Sequence, residues 1–127
     1  MSEYPQLLLH LFGDYVTQTD WMAKNKTSNW QPAIAHGVVY SLPFFLLDIS
    51  ALAWFVIFST HVVIDRFRLA RFIIFAKNWL SDRSLKWQEC NNTGYPNSMV
   101  PWMSVWLMIA ADNWLHLTIN YFAIKYL

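Results

Sequence analysis

The sequence predicts an all-α protein, a bundle of four transmembrane helices forming a single domain. Its length of 127 residues leaves room for one domain only. Hydrophobic residues make up 56% of the chain and charged residues 13%, about half the charged share of a typical soluble domain. The apolar residues also fall into four blocks separated by polar stretches. Blocks of roughly 17–25 residues match a bilayer at about 1.5 Å of rise per residue.

The first two blocks predict helices over about residues 5–21 and 31–47. The first is short and carries His10 and Asp14 within its apolar stretch. The second opens with Pro32, a residue suited to the first turn of a helix. A short polar stretch joins the two blocks, so we expect two neighbouring helices joined by a tight connection.

The third block predicts a helix over about residues 50–65, with Ser50 as a possible N-cap. A basic amphipathic segment follows to about residue 80, either as an extension of this helix or as an interfacial segment. The longest polar stretch, 81–98, is rich in turn-forming residues. The fourth block predicts a helix over about residues 99–124.

Charge and cysteine content exclude several classes of protein. A net charge of +1 offers no broad basic face, so no nucleic-acid partner is expected. A single cysteine, Cys90, excludes an intramolecular disulfide framework. The connections after the first and third helices contain all the lysines and arginines except Lys125. By the positive-inside rule these connections face the cytoplasm, which predicts a multi-pass protein of the inner membrane with both termini non-cytoplasmic.

Histidine and aspartate recur at one spacing within the apolar blocks. Three pairs are each separated by four residues, which places both members on one helix face: His10 with Asp14, His61 with Asp65, and Asp112 with His116. Random placement would give only about 0.4 such pairs. His36 adds a histidine from the second block. Ionisable groups in hydrocarbon are costly and therefore indicate function.

Four imidazoles and three carboxylates form a nitrogen and oxygen donor set, which suits a divalent transition metal such as Zn, Mn or Fe. Seven donors exceed the needs of one tetrahedral ion, so two ions bridged by a carboxylate are expected. A metal-bound water would be the nucleophile, and no general base is assigned. The predicted ligands are His10, Asp14, His36, His61, Asp65, Asp112 and His116.

Several further residues have weaker predicted roles. Gln18 lies one turn after Asp14 and is expected to orient a metal ligand. The same role is expected of Asn113. Tyr40 is expected to pack. The arginines after the third block are expected to set topology and to contact lipid headgroups or a phosphorylated substrate; these are Arg66, Arg68 and Arg71.

Four segments resemble a known family of small bacterial and phage membrane proteins, the domain of unknown function 3307 family. These segments are LLLHLFGDYVTQTDWMAKNK at 7–26, AIAHGVVYSL at 33–42, STHVVIDRFR at 59–68 and ADNWLHL at 111–117. In this resemblance, the predicted polar residues fall at the positions where the family has polar residues. The resemblance also implies a bacterial inner-membrane location. The family has no settled activity, but it is distantly similar to integral-membrane metal-dependent hydrolases.

Three functions are compatible with these observations. The first is a membrane metalloprotein, a hydrolase acting on a lipid or lipid-linked substrate. The second is a non-enzymatic interaction or exclusion protein whose polar core is structural. The third is a proton or ion conductor that uses the same residues. A chain of 15.0 kDa provides few walls for a deep site, so membrane lipids and further copies of the chain are the expected partners.

Overall fold

A computed structural model describes residues 4–127. None of these residues lies in a β-strand, so the prediction of an all-α protein is confirmed. The described residues form six α-helices: α1 (Tyr4–Leu11), α2 (Asp20–Asn25), α3 (Trp30–Ser41), α4 (Ala51–Phe67), α5 (Ala70–Ser81) and α6 (Pro101–Tyr126).

The first predicted helix is divided into three parts. After α1 the chain continues as a π-helical segment, Phe12–Val16, and then leaves helical geometry before α2 begins. Thr19 caps α2, since its side chain accepts a hydrogen bond from the Met22 backbone N–H at 3.3 Å. The second predicted helix corresponds to α3 and a following 3₁₀ segment, Leu42–Leu46.

The third predicted helix and its basic extension are two separate helices, α4 and α5. The chain turns between them at Arg68, whose φ of 52° lies in the left-handed region that ends a right-handed helix. The fourth predicted helix corresponds to α6, which begins and ends two residues later than predicted.

No helix within residues 4–127 is both long enough and apolar enough to cross a bilayer. The prediction of four transmembrane helices is therefore without support from these helices. The helical class of the protein is the part of that prediction that holds.

The described chain divides into two compact units. The first consists of the residues up to Phe67 together with His116–Leu127, and the second is Arg68–Leu115. The first unit has an apolar core of Tyr40, Phe44, Ile57 and Ala123. The Trp54 indole N–H donates to the Ser41 carbonyl at 3.0 Å and fastens α4 to the end of α3.

The second unit consists of α5, the polar loop and the start of α6. The loop packs against α5 at Gly94, whose φ is +87° and whose missing side chain leaves room for the Arg71 carbonyl and Ile74. The Asn78 side chain donates to the Gly94 carbonyl at 3.0 Å. Cys90 is buried within this unit.

Candidate metal centre

Four of the predicted ligands meet at one point inside the first unit. Asp14, His36, His61 and Asp65, here called the central cluster, each place one donor atom within 4.8 Å of the other three. Asp14 comes from the π-helical segment, His36 from α3, and the other two from α4. All but Asp14 are buried, and its side chain is 11% exposed. The cluster therefore draws its donors from three separate helical segments of the first unit.

The distances within the central cluster are short and nearly equal. The two histidine Nε2 atoms lie 3.0 Å apart. Asp14 Oδ1 lies 3.2 Å from His36 Nε2 and 3.4 Å from His61 Nε2. Asp65 Oδ2 lies 3.3 Å and 3.4 Å from the same two nitrogens. Five donor pairs thus have separations between 3.0 and 3.4 Å.

Helical periodicity and one glycine produce this arrangement. His61 and Asp65 share a face of α4 because they are four residues apart. Gly37 follows His36 on α3, and a side chain at Gly37 would collide with Val62 and Phe58 of α4. The absence of that side chain lets α3 and α4 approach, so that His36 and His61 meet.

His10 and His116, here called the flanking histidines, contact the outer carboxylate oxygens of Asp14 and Asp65, which are the oxygens outside the central cluster. Asp14 Oδ2 lies 3.5 Å from His10 Nε2, and Asp65 Oδ1 lies 3.1 Å from His116 Nε2. The flanking rings have their centroids 5.8 Å apart and are buried. Each aspartate therefore uses one oxygen for the central cluster and the other for a flanking histidine.

Tyr40 has a larger role than the packing predicted for it. Its ring stacks on His61 with centroids 3.6 Å apart and planes inclined by 10°. Its hydroxyl lies 2.8 Å from His10 Nδ1 and accepts a hydrogen bond from Asn120 at 2.7 Å. A signal was present in the sequence, because Tyr40 follows His36 by one helical turn.

Lys26 is the second residue that sequence reasoning missed. Its Nζ donates to Asp65 Oδ2 at 2.6 Å, the shortest contact of that carboxylate. Lys26 lies in the turn after α2, and a lysine in a short polar connection was interpreted as a topology signal. No periodic pattern links positions 26 and 65, so the contact could not be anticipated.

Both aspartates of the central cluster favour the ionised form. Burial raises the pKa of Asp14, but hydrogen bonds from His36 and His61 outweigh it and hold the pKa well below its usual range. Burial likewise raises the pKa of Asp65, and the charge of His61 with the hydrogen bond from His116 brings it well below that range. Ionised carboxylates are the form that binds a cation.

The pKa of His36 is shifted upward, in the opposite direction to the pKa values of the two aspartates. Burial lowers its pKa, but hydrogen bonds to Asp14 and Asp65 outweigh this effect and place the pKa above its ordinary value. The Nδ1 atoms of His36 and His61 have no hydrogen-bond partner among the described residues. The orientation of these rings is therefore set by their Nε2 contacts and by packing, including the stack of Tyr40 on His61.

The other predicted site residues are not among the four donors of the central cluster. Gln18 donates to the Asp14 backbone carbonyl at 3.2 Å, so it supports the chain rather than the carboxylate. Arg66 donates to the Thr27 carbonyl at 2.6 Å. The remaining four belong to the second unit: Arg68, Arg71, Asp112 and Asn113.

Arg68 and Arg71 are both engaged within the second unit. They donate to the carbonyls of Asn92 and Asn91, at 2.5 and 2.8 Å. Asp112 is half-buried on α6, four residues before His116. The role of Asp112 as a metal ligand stays a prediction.

The donor chemistry of the central cluster suits a divalent metal ion. Two imidazoles and two carboxylates without a thiolate are typical of Zn, Mn or Fe sites. A tetrahedral ion with bonds of about 2.0–2.2 Å holds its donor atoms about 3.3–3.6 Å apart. The five measured separations are at or just below this range.

Comparisons with known proteins add one finding. A family model described as "Protein of unknown function (DUF3307)" matches residues 4–118. Neither the curated proteins nor the solved structures gave a match.

Proposed function

The chain belongs to the DUF3307 family, and we propose that it binds a divalent transition metal ion at the central cluster and uses that ion in hydrolysis. The observation that carries the proposal is the set of five donor separations between 3.0 and 3.4 Å. A donor set assembled for hydrogen bonding alone has no need to form most of the edges of a tetrahedron. An ion at its centre needs this shape.

A second ion is the finer part of the proposal. The outer oxygens of Asp14 and Asp65 face the flanking histidines, His10 and His116, at 3.5 and 3.1 Å. A second ion bound at one of these oxygen and nitrogen pairs would share a carboxylate with the central cluster. Bundles build dinuclear sites from carboxylates and histidines in this way.

Hydrolysis is the reaction class that fits such a site. A divalent ion acts as a Lewis acid and activates water as a nucleophile, and this chemistry requires no thiolate or redox group. Around such an ion the protein supplies two carboxylates and two imidazoles, of which all but Asp14 are buried. A lipid or lipid-linked ester is the substrate class that we propose.

Metal content tests the proposal directly. Protein purified from cells supplied with Zn, Mn and Fe is expected to contain one or two ions per chain by inductively coupled plasma mass spectrometry. His61→Ala removes a donor common to three of the five short separations and is expected to reduce the content to near zero. Asp20→Asn is the matched control, because Asp20 forms an exposed pair with Lys24. Metal-free wild-type protein would refute the proposal.

A structural polar core is the second candidate function, that of an interaction protein without catalysis. It is favoured by the direct contacts of the cluster with itself and with Lys26, which satisfy its charges without an ion. Asp14→Asn separates the two candidates. A metal site gives the wild type an increase in unfolding temperature on addition of metal that Asp14→Asn lacks, whereas a structural core gives each protein the same unfolding temperature with and without metal.

We also propose that the first unit contacts membrane lipids. Large apolar side chains on its helices are exposed, among them Tyr4, Leu8, Leu52, Phe55 and Phe122. Exposed apolar groups at this density are typical of membrane or protein contacts. Resistance of the membrane-bound protein to a carbonate wash tests lipid contact. Release by the wash, with an oligomer in solution, would instead indicate that further copies of the chain cover these residues.

A further inference from the structure

The ammonium group of Lys26 contacts the central cluster through Asp65. Its side chain is 19% exposed, whereas the side chain of Asp65 to which it donates is 3% exposed. Asp65 Oδ2 also belongs to the donor set, at 3.3 Å from His36 Nε2 and 3.4 Å from His61 Nε2. A metal ion and Lys26 therefore share one oxygen atom.

The charge of the loaded site calls for an anion. One divalent ion neutralises the carboxylates of Asp14 and Asp65, and the lysine then adds a positive charge with no negative partner. A second ion increases this excess. A buried charge without a partner is costly, so the loaded site favours a negatively charged ligand.

A second positively charged side chain, Arg66, lies next to Asp65 in the chain. It donates to the carbonyl of Thr27, the residue after Lys26. Lys26 and Arg66 thus connect the same two segments in opposite directions: Lys26 donates to Asp65, and Arg66 donates to the carbonyl of Thr27. The Arg66 Nε is buried and has no hydrogen-bond partner among the described residues. An anion that binds beside Lys26 in the loaded site is attracted by two positively charged side chains and by the metal ion.

We propose that Lys26, together with the metal ion, forms a subsite for a phosphate group. On metal binding, the Lys26 ammonium leaves Asp65 Oδ2 and donates to a phosphate oxygen instead. Lysine is a common point-charge partner for phosphate in proteins. This inference rests on the proposed metal site, and it identifies the substrate of that site as a phosphate-bearing molecule.

Substitution of Lys26 separates phosphate binding from metal binding. Lys26→Met removes the charge and keeps most of the side-chain length. Lys24→Met is the matched control, because Lys24 lies two residues earlier, is 72% exposed and pairs only at the surface with Asp20. Full-length protein is saturated with Zn²⁺ and freed of excess ion. Binding of inorganic phosphate and of vesicles is then measured by calorimetry and sedimentation. Vesicles of phosphatidylcholine with phosphatidic acid are compared with vesicles of phosphatidylcholine alone.

Lys26→Met is expected to bind Zn²⁺ as tightly as wild type or more tightly, because the competing ammonium is gone. Its phosphate affinity is expected to fall at least about tenfold, the effect of losing one charged hydrogen bond. Lys24→Met is expected to match wild type in both measurements. Binding of inorganic phosphate identifies a soluble ligand, and binding confined to phosphatidic acid vesicles identifies a lipid headgroup.

Unchanged phosphate affinity in Lys26→Met would overturn the inference and leave the metal site intact. Weaker Zn²⁺ binding in Lys26→Met would also overturn it, because Lys26 would then support the cluster rather than the ligand. Wild-type protein that binds no metal would refute the proposed function itself. If Lys26→Met does not fold by circular dichroism, Lys26→Gln, which retains a donor for Asp65, replaces it in both measurements.

Discussion

In the first unit buried histidine and aspartate side chains contact one another, whereas in the second unit partly exposed arginine side chains donate to backbone carbonyls. Asp65 alone contacts Lys26 and three histidines. In the second unit, Arg68 and Arg71 donate to loop carbonyls. The Arg71 guanidinium also lies over the rings of Phe72 and Trp87, 5.0 and 5.4 Å from their centroids.

This difference distinguishes the candidate metal site of the first unit from contacts in the second unit that only hold the backbone of the loop in place. A carbonyl held by an arginine offers no free donor for a metal, and the arginine is already occupied. Carboxylates and imidazoles that face one another can exchange these contacts for an ion. The comparison predicts large effects from substitutions in the first unit that leave a buried charge unpaired, and small local effects in the second.

The largest expected effect comes from Asp65→Asn. The substitution leaves the ammonium of Lys26 without its carboxylate, and breaking a buried ion pair on one side costs about 3–5 kcal/mol. We expect a loss of this size in the free energy of unfolding, measured with urea in the absence of metal. Asp20→Asn, at an exposed pair, is expected to change it by less than about 1 kcal/mol.

A double substitution tests the reason for this loss. Lys26→Met added to Asp65→Asn removes the unpaired ammonium, so part of the stability is expected to return. A double variant whose stability equals the sum of the two single losses would show that Lys26 and Asp65 act independently.

A smaller loss is expected from Gly37→Ala. The new methyl group meets the Val62 and Phe58 side chains and separates α3 from α4, where overpacking costs about 1–3 kcal/mol. Alanine is intrinsically the better helix former by about 1 kcal/mol, so a stabilised variant would contradict the close approach of the helices. Thermal unfolding measures the sign.

The smallest effect is expected from Arg71→Met in the second unit. The variant loses one hydrogen bond to the Asn91 carbonyl and two ring contacts, worth about 1.5 kcal/mol in total. Faster hydrogen exchange in the loop after α5 is expected, with the metal content unchanged. A loss of metal in this variant would contradict the contrast between the two units.

Helical spacing predicted much of the central cluster. His61 and Asp65 lie on one face of α4, and the histidine of the second block contacts them, as the shared chemistry of these residues indicated. The separation of α4 from α5 could not be predicted, because a left-handed residue at Arg68 leaves no apolar pattern in the sequence.

Contacts between distant polar residues were the other part beyond prediction. Lys26 and Asp65 are 39 positions apart, and only the path of the chain after α2 brings them together. Asn120 meets the Tyr40 hydroxyl across 80 positions in the same way. Periodicity describes one helix at a time, so it identifies which side chains share a face but not what that face meets.

The π-helical segment Phe12–Val16 makes the spacing of the chain itself part of the site. A π turn accommodates one residue more than an α turn. Deleting one residue there, even an exposed one such as Tyr15, would restore an α turn and rotate α1 and Asp14 by about 100° relative to the chain that follows. The Asp14 carboxylate would leave His36 and His61 although the identity of each ligand would be unchanged. Chain length in this segment is thus as much a determinant of the site as the identity of its ligands.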